Sequence, residues 1–267
     1  MRRAGVLFLF ISLLFNGCLP FAIIFQNWSG ALGTVSNGIL SDSIILNESP
    51  EIRFDRKVNR HAGTPQLVEM LKSASLEMDK QFGVKLTVGD MSAPLGGKIS
   101  GHKSHRTGLD GDIAFFIIDT GKKVINGNLN DKFDRFGVSL NKNGKVMMFD
   151  YEKNWALVET LINDTRWRVQ WIFVSSGVKS AMLKWALINK KDIDTVYRAS
   201  YILHQPKGAD PHMDHFHVRI YCPQNKTQNG CTQLPPIWPW EKEAEPPPVK
   251  KDFTDAELIK MATEGLE

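Results

Sequence analysis

A short segment of the chain concentrates histidines in a pattern that could hold a metal ion. Three of the seven histidines, His212, His215 and His217, lie within six residues. From His215 to Tyr221 polar and apolar side chains alternate, which is the period of a β-strand with one buried face. Such a strand directs His215 and His217 to the same side, where both imidazoles can reach one ion. Because imidazole is the commonest protein ligand for zinc, the segment predicts part of a zinc site.

The remaining ligands are predicted in a glycine-rich segment earlier in the chain. It contains two histidines, His102 and His105, and two carboxylates, Asp110 and Asp112. The apolar run after Asp112 predicts a buried strand, so Asp112 is expected where the loop becomes the strand. A catalytic zinc takes about three protein ligands and keeps one position open for water. His105, Asp112 and His217 would supply that set.

The same two blocks carry a family resemblance. GHKSHRTGLDGDI and HMDHFHVRIYCP resemble the corresponding blocks of penicillin-insensitive murein endopeptidases, which fall in the wider zinc peptidase group that includes lysostaphin-type and D-Ala-D-Ala peptidases. The pattern of that group is a histidine, an aspartate seven positions later, and a distant His-x-His; here 112 − 105 = 7 and 217 − 215 = 2. The flanking histidines of the family correspond to His102 and His212. The resemblance runs from about Ser36 to Cys231.

Candidate groups for proton transfer surround the predicted ligands. Zinc would lower the pKa of a bound water toward ~7, and a general base must then accept its proton. His215 is our choice, since it faces the site beside His217 and has an ordinary pKa of ~6.5. Asp214 is the alternative base, although on a strand it would point to the other face. The residues expected to orient ligands, or to form an additional site, are His102, His212, Asp110 and Asp214. Asp110 could equally be a turn residue.

The first residues of the chain predict export from the cytoplasm. Two arginines precede an apolar stretch from Val6 to Phe15, so residues 1–18 are interpreted as an export signal. The sequence LFNGC, which ends at Cys18, is similar to a bacterial lipoprotein processing site, and a lipid on Cys18 would attach the protein to a membrane. The apolar run continues to Phe25, so an uncleaved anchor is the alternative. We expect a periplasmic location.

The composition excludes a strong attraction to polyanions. The chain has 267 residues, of which 42% are hydrophobic and 23% charged, as is ordinary for a soluble globular protein. Its net charge of +4 becomes 4 − 2 = +2 if Arg2 and Arg3 are removed with the signal. Nucleic acid is therefore not expected as a partner, because phosphate binding needs a concentrated basic face.

Two cysteines follow the predicted signal, Cys222 and Cys231. In an exported chain, a pair so close in sequence predicts a disulfide, and the alternative is two free thiols.

The elements that must position these residues are helices and strands in mixed order. Helices are predicted at 64–82, 151–162, about 177–189, and 193–204. Strands are predicted at 84–88 and 169–174, with a hairpin over 136–149 that turns at Asn143-Gly144. This order favours an α+β fold, with a mostly antiparallel central sheet flanked by helices and the zinc site on the sheet.

Four regions are expected: an export signal at 1–18, a linker or anchor remainder at 19–35, a zinc peptidase domain at 36–232, and a proline-rich C-terminal extension at 233–267. The resemblance implies a zinc-dependent murein endopeptidase that hydrolyses D-alanyl-diaminopimelate cross-link peptides of peptidoglycan and is insensitive to penicillin. The alternative hypothesis is a catalytically inactive, zinc-containing lipoprotein that binds the cell wall.

Overall fold

The fold is an α+β arrangement built on a six-stranded sheet, as predicted. The computed structural model describes residues 30–56, 59–125, 127–140, 144–223 and 230–241, together with residues 256 and 260. The predicted export signal and Cys18 lie outside the described residues. Within the described ranges, none of the helices is long and apolar enough to cross a membrane.

Four α-helices are described: α1 Pro65–Phe82, α2 Tyr151–Asn163, α3 Ser176–Ile188 and α4 Ile193–Ile202. The strands of the central sheet are β4 Ile52–Phe54, β6 Leu86–Val88, β7 Asp110–Ala114, β12 Val169–Phe173, β13 Leu203–His204 and β14 His215–Ile220. The strands outside it are β1 Ala31–Thr34, β2 Asn37–Leu40, β3 Ile44–Ile45, β5 Ala62–Gly63, β8 Ile117–Asp119, β9 Val124–Ile125, β10 Val138–Leu140 and β11 Val146–Phe149.

The central sheet has the order β13-β12-β14-β7-β6-β4. Its inner pairs, β12–β14, β14–β7 and β7–β6, are antiparallel, and only the outermost pairs are parallel. Phe216 and Val218 on one face of β14 are fully buried and join a hydrophobic core with residues of all four helices. The alternate residues of β14 are polar and lie on the opposite face. The alternation predicted for this strand is confirmed, and it leaves one sheet face available for a site.

Helix α1 shows why the local helix predictions hold. The Thr64 hydroxyl accepts from the Leu67 N–H at 3.3 Å, and Pro65 occupies the first turn. Gly83 ends the helix with a left-handed φ of 62°, and its N–H donates to the Asp79 carbonyl. A cap of this kind contributes about 1 kcal/mol, and both signals are readable from residues adjacent in sequence.

Two predicted elements differ from the structure because of pairing between distant segments. The helix predicted at 193–204 ends at Ile202, since Leu203 and His204 pair with β12 as strand β13. The buried strand predicted after Asp112 is divided into β7 and β8, and Asp112 lies inside β7 rather than at a loop boundary. The break follows from Phe116, whose N–H and carbonyl are bound by the Asn154 side chain at 3.0 and 2.7 Å.

The predicted disulfide between Cys222 and Cys231 is confirmed. It closes a loop directly after β14, and the Gly33 N–H donates to the Gly230 carbonyl at 2.7 Å beside it. The bond therefore ties the β1–β2 hairpin to the end of the strand that carries His215 and His217.

Replacing both Cys222 and Cys231 by serine is expected to lower the free energy of unfolding. The sequence separation is nine residues, so loop closure accounts for about 2–3 kcal/mol. Denaturant unfolding of the variant and of the oxidised parent measures the difference. Equal midpoints and equal slopes for the two proteins would contradict this account.

The described part of the predicted proline-rich extension packs on the sheet. The Trp238 Nε1–H donates to the Gln170 carbonyl at 2.7 Å, and the Arg168 Nε donates to a Glu241 carboxylate oxygen at 2.6 Å. Residues 233–241 therefore cover part of β12 instead of extending into solvent.

Candidate metal centre

Three predicted ligand atoms converge on the open face of the central sheet. His105 Nε2 lies 3.3 Å from His217 Nδ1 and 3.3 Å from Asp112 Oδ1, and the last two atoms are 3.4 Å apart. Donors held at ~2.0–2.1 Å from one tetrahedral zinc are roughly 3.3–3.4 Å apart. Asp112 Oδ1 is also buried and has no hydrogen-bond partner among the described residues. Both observations fit a divalent metal ion shared by the three side chains, which we call the donor triangle.

The strand register accounts for two corners of the donor triangle. Asp112 on β7 is the direct antiparallel partner of His217 on β14, so their side chains share one face at close range. His105 reaches the same point from the loop between β6 and β7, with a left-handed φ of 63° and a completely buried side chain. The Ser92 hydroxyl donates to the His105 carbonyl at 2.8 Å, which holds this backbone conformation in place.

Outer hydrogen bonds set the tautomers of both histidines. His105 Nδ1 lies 2.6 Å from the Met91 carbonyl, and His217 Nε2 lies 2.9 Å from Asp110 Oδ1. Each ring therefore donates its N–H outward, and the lone pair of the other nitrogen points into the donor triangle. This is the arrangement in which proteins present histidine to a metal.

The pKa shifts favour the ligand forms of His217 and Asp112, whereas that of His105 favours its protonated form. Burial, reinforced by the neighbouring His105, lowers the pKa of His217 to about 3 and keeps its imidazole neutral. Burial alone would raise the pKa of Asp112, but His105 and His215 hold it well below its usual range. Burial opposes a charge on His105, yet Asp112 raises its pKa. A proton and a metal compete for His105 Nε2, so metal affinity is expected to fall as the pH falls.

Asp110 connects three parts of the site. Its Oδ1 accepts from His217 Nε2 at 2.9 Å and from Arg219 Nε at 2.6 Å, and its Oδ2 accepts from the His105 N–H at 3.0 Å. Burial would raise the pKa of Asp110, but Arg219 and then His217 hold it well below the usual range. Asp110 is the first residue of β7 and pairs directly with Arg219, so it is not a turn residue.

Asp110→Asn is expected to weaken metal affinity by about 10–100-fold, because the histidine orientation then depends on a neutral amide. Competition with a chelator of known affinity measures the change. Asp134→Asn is the matched control, since Asp134 is exposed and accepts from the backbone N–H groups of Phe136 and Val138 in its own turn. Equal affinities in the two variants would remove Asp110 from this role.

His215 and Asp214 form a pair at the edge of the donor triangle. His215 Nδ1 lies 2.6 Å from Asp214 Oδ1, and His215 Nε2 lies 3.6 Å from Asp112 Oδ1. Burial lowers the pKa of His215, but Asp112 and Asp214 outweigh it and raise the value above the ordinary one. Asp214 precedes β14 instead of lying on it, so the expectation that it points to the far side of a strand is wrong.

His102 and His212 flank the donor triangle. The His102 ring is 4.3 Å from that of His105, and its Nε2 lies 2.9 Å from Asp90 Oδ2. His102, His105 and Asp112 form an alternative donor group whose atoms all lie within 4.8 Å of one another. The spacing with His217 in place of His102 is tighter and matches a tetrahedral ion better. In the part of the chain that the structure describes, His212 Nδ1 is buried without a hydrogen-bond partner, and its ring is 5.0 Å from that of His215.

A groove with a volume of about 410 Å³ opens over the site. His102, His212, His215 and His217 line it, together with Lys103 and Arg219. A molecule that enters this groove can therefore approach His215 and, through His217, the donor triangle.

Three residues near the site were not predicted from the sequence. Asp90, Met91 and Ser92 lie in the segment after β6, which carries no metal-binding pattern. The Met91 carbonyl binds His105 Nδ1, and the Asp90 carboxylate binds His102 Nε2. Any residue type at position 91 could supply this backbone carbonyl. The usable signal in the sequence was Asp90, a carboxylate just beyond the strand predicted at 84–88.

Comparison with known proteins places the chain in a family. The model of the penicillin-insensitive murein endopeptidase family matches residues 31–244. The chain belongs to this family. It is 25% identical over 211 residues to a penicillin-insensitive murein endopeptidase of Haemophilus influenzae, covering 77% of this chain and 68% of that protein.

Two further penicillin-insensitive murein endopeptidases show the same level of similarity. The protein of Pectobacterium atrosepticum is 27% identical over 215 residues, which cover 78% of this chain and 70% of the relative. That of Escherichia coli O157:H7 is 26% identical over 214 residues, which cover 77% and 71%. The family resemblance inferred from the two histidine blocks is confirmed, and the match with the murein endopeptidase family continues beyond both blocks to residue 244.

Proposed function

We propose that the protein is a zinc-dependent peptidoglycan hydrolase that cleaves D-alanyl-diaminopimelate cross-links of murein and is insensitive to penicillin. The observation that carries the proposal is the donor triangle of His105, Asp112 and His217. Its spacing suits zinc, its tautomers are set by outer partners, and it opens on a groove. Membership of a family of murein endopeptidases supplies the substrate class.

In this mechanism His105, Asp112 and His217 would hold the metal. A bound zinc lowers the pKa of a water molecule and polarises a carbonyl group. The protein's own contribution is proton transfer by His215. Because Asp214 accepts from His215 Nδ1, Nε2 can accept a proton beside the site and deliver it to the leaving amine.

Cationic side chains of the groove suit the substrate. Cross-link peptides carry free carboxylates, and Lys103 and Arg219 both line the groove. Arg219 is paired with Asp110, so it is fixed in position and its charge is mostly compensated. Lys103 donates to the Gly208 carbonyl at 2.5 Å and is the better candidate to bind a substrate carboxylate.

The proposal includes export to the periplasm, where murein lies. Residues 1–18 would serve as the signal, 19–35 as linker or anchor remainder, 36–232 as the zinc peptidase domain, and 233–267 as the extension. A lipid on Cys18 would attach the domain to a membrane.

Purified cross-linked muropeptide dimer is expected to yield monomer when incubated with the enzyme, zinc and penicillin. A chelator should abolish the reaction and added zinc restore it. Penicillin should have no effect, because it traps nucleophilic serines as acyl-enzymes and this mechanism uses none. Cleavage of another bond in the stem peptide would contradict the proposed specificity for the D-alanyl-diaminopimelate cross-link. An intact dimer with zinc measurably bound would favour a wall-binding protein.

A further inference from the structure

A second cavity adjoins the groove over the donor triangle. Its volume is about 840 Å³, within the ~300–1,000 Å³ typical of ligand pockets. Pro206 and Ala209 line both cavities, so they form the ridge between them. We call this second cavity the aromatic groove, and its characteristic lining residues are Trp171, Lys179, Tyr201, His204, Lys207 and Trp238.

The aromatic groove lies on the same sheet face as the donor triangle. On β12, Phe173 is the direct partner of His217, and Trp171 is the direct partner of Arg219. The alternation that places the site residues of β14 on this face therefore places two aromatic rings of β12 beside them.

These rings form a continuous row that starts at the donor triangle. Ring centroids are 5.3 Å apart between His217 and Phe173, and 5.6 Å apart between Phe173 and Trp171. The row continues for 4.9 Å from Trp171 to Trp238, and for 5.8 Å from Trp238 to Tyr201. Trp171, Trp238 and Tyr201 are at least partly exposed in this row. Such aromatic surface suits a chain of sugar rings, because C–H groups with partial positive charge pack on aromatic rings.

The rings are fixed in position before any ligand arrives. Trp238 Nε1 donates to the Gln170 carbonyl at 2.7 Å, and Trp171 packs against both Phe173 and His204. Tyr201 remains 46% exposed at the outer end of the row. Binding to rings already held in place loses little side-chain entropy.

The charge of the lining selects the ligand. Lys179 and Lys207 line the aromatic groove, and its lining among the described residues contains no carboxylate. Such a surface disfavours cationic ligands and suits neutral or anionic ones. Amino sugars that are N-acetylated are neutral, and the peptide stems attached to them carry carboxylates.

The length of the row also matches the substrate. The steps from His217 through Phe173 and Trp171 to Trp238 are 5.3, 5.6 and 4.9 Å. A four-residue stem between the sugar and the cross-link spans at most roughly 13–14 Å when extended. The first two steps together lie within this span, so a stem whose cross-link lies at the donor triangle can place its sugar at Trp171.

We propose that the aromatic groove binds the glycan strand of murein, the chain of N-acetylated amino sugars that carries the stem peptide being cut. This inference rests on the proposed function, since it extends the same substrate from the cleaved bond to its sugar. Arrival of the glycan on the rings would hold the stem along the row and its cross-link over the donor triangle.

The first test uses peptide-free murein glycan strands as the probe and intrinsic tryptophan fluorescence as the readout, since two tryptophans line the aromatic groove. We expect a saturable change, and a dissociation constant about 3–10-fold weaker in Tyr201→Ala. Phe136→Ala is the matched control, because Phe136 is exposed but does not line the groove. Lys207→Glu should weaken binding only of strands that retain their stems. Absence of a saturable change overturns the inference.

The second test compares cleavage of the cross-linked dimer with and without its sugars. Tyr201→Ala should raise KM for the sugar-bearing dimer by the same factor, leave kcat unchanged, and not affect the sugar-free peptide. An equal effect on both substrates would assign the aromatic groove to the peptide and overturn the inference. Cleavage of the dimers by a protein that does not bind glycan strands would overturn this inference and leave the proposed function intact. Glycan binding without cleavage of either dimer removes the proposed function and leaves the groove.

Discussion

His217→Ala is expected to lose most of the bound metal and the hydrolytic activity that depends on it. His217 supplies one of three donors, and its Nδ1 lies 3.4 Å from Asp112 Oδ1. Residues that only orient a ligand alter affinity by ~10–100-fold, so loss of a direct donor should exceed that range. His105→Ala should behave in the same way, because its Nε2 completes the other two sides of the donor triangle.

The comparison with His102→Ala decides between the two donor groups at this site. His102 could replace His217 in the alternative group, offering Nδ1 because its Nε2 is bound to Asp90. The donors of the group with His217, however, lie only 3.3–3.4 Å apart, as a tetrahedral ion requires. His102→Ala is therefore expected to retain about one metal per chain. Elemental analysis after dialysis against limiting zinc measures occupancy, and the zinc-induced rise in melting temperature checks it independently. Metal loss in His102→Ala with retention in His217→Ala would assign the ligands to the other group.

The features that were predictable from sequence depend on neighbouring residues. The period-2 alternation of β14 and the caps of α1 are local, and they match the structure closely. The two histidine blocks carry side chains whose chemistry is visible in their residue types, and among them Asp112 on β7 meets His217 on β14.

Other features depend on partners far away in the chain. Strand β13 exists because Leu203 pairs with Ile172, and no pattern at 203–204 indicates this. His105 is oriented by the Met91 carbonyl, which any residue type could provide. The aromatic groove joins Trp171, Tyr201 and Trp238 from three separate segments, so no single stretch of sequence shows it.

Asp214 illustrates how one boundary changes a mechanistic inference. Placed on a strand, Asp214 would face away from His215. The strand instead begins at His215, and the N–H of Phe133 is bound by the Met213 carbonyl at 2.8 Å, which fixes the preceding turn. Asp214 therefore reaches back to His215 Nδ1. In the proposed mechanism the two candidate bases therefore act together, with Asp214 orienting His215, and are no longer alternatives.

His215→Ala is accordingly expected to retain the metal and lose turnover. Positioned proton transfer contributes about 10²–10⁴-fold to a reaction rate, so kcat should fall by that factor while zinc occupancy stays near that of the parent protein. Asp214→Asn should cause a smaller loss, because the amide still contacts His215 Nδ1 but no longer supports a positive charge on the ring. Parallel measurements of kcat on cross-linked dimer and of metal content separate the two roles. Release of metal by His215→Ala, together with intact metal and abolished turnover in Asp214→Asn, would make His215 a ligand and Asp214 the base.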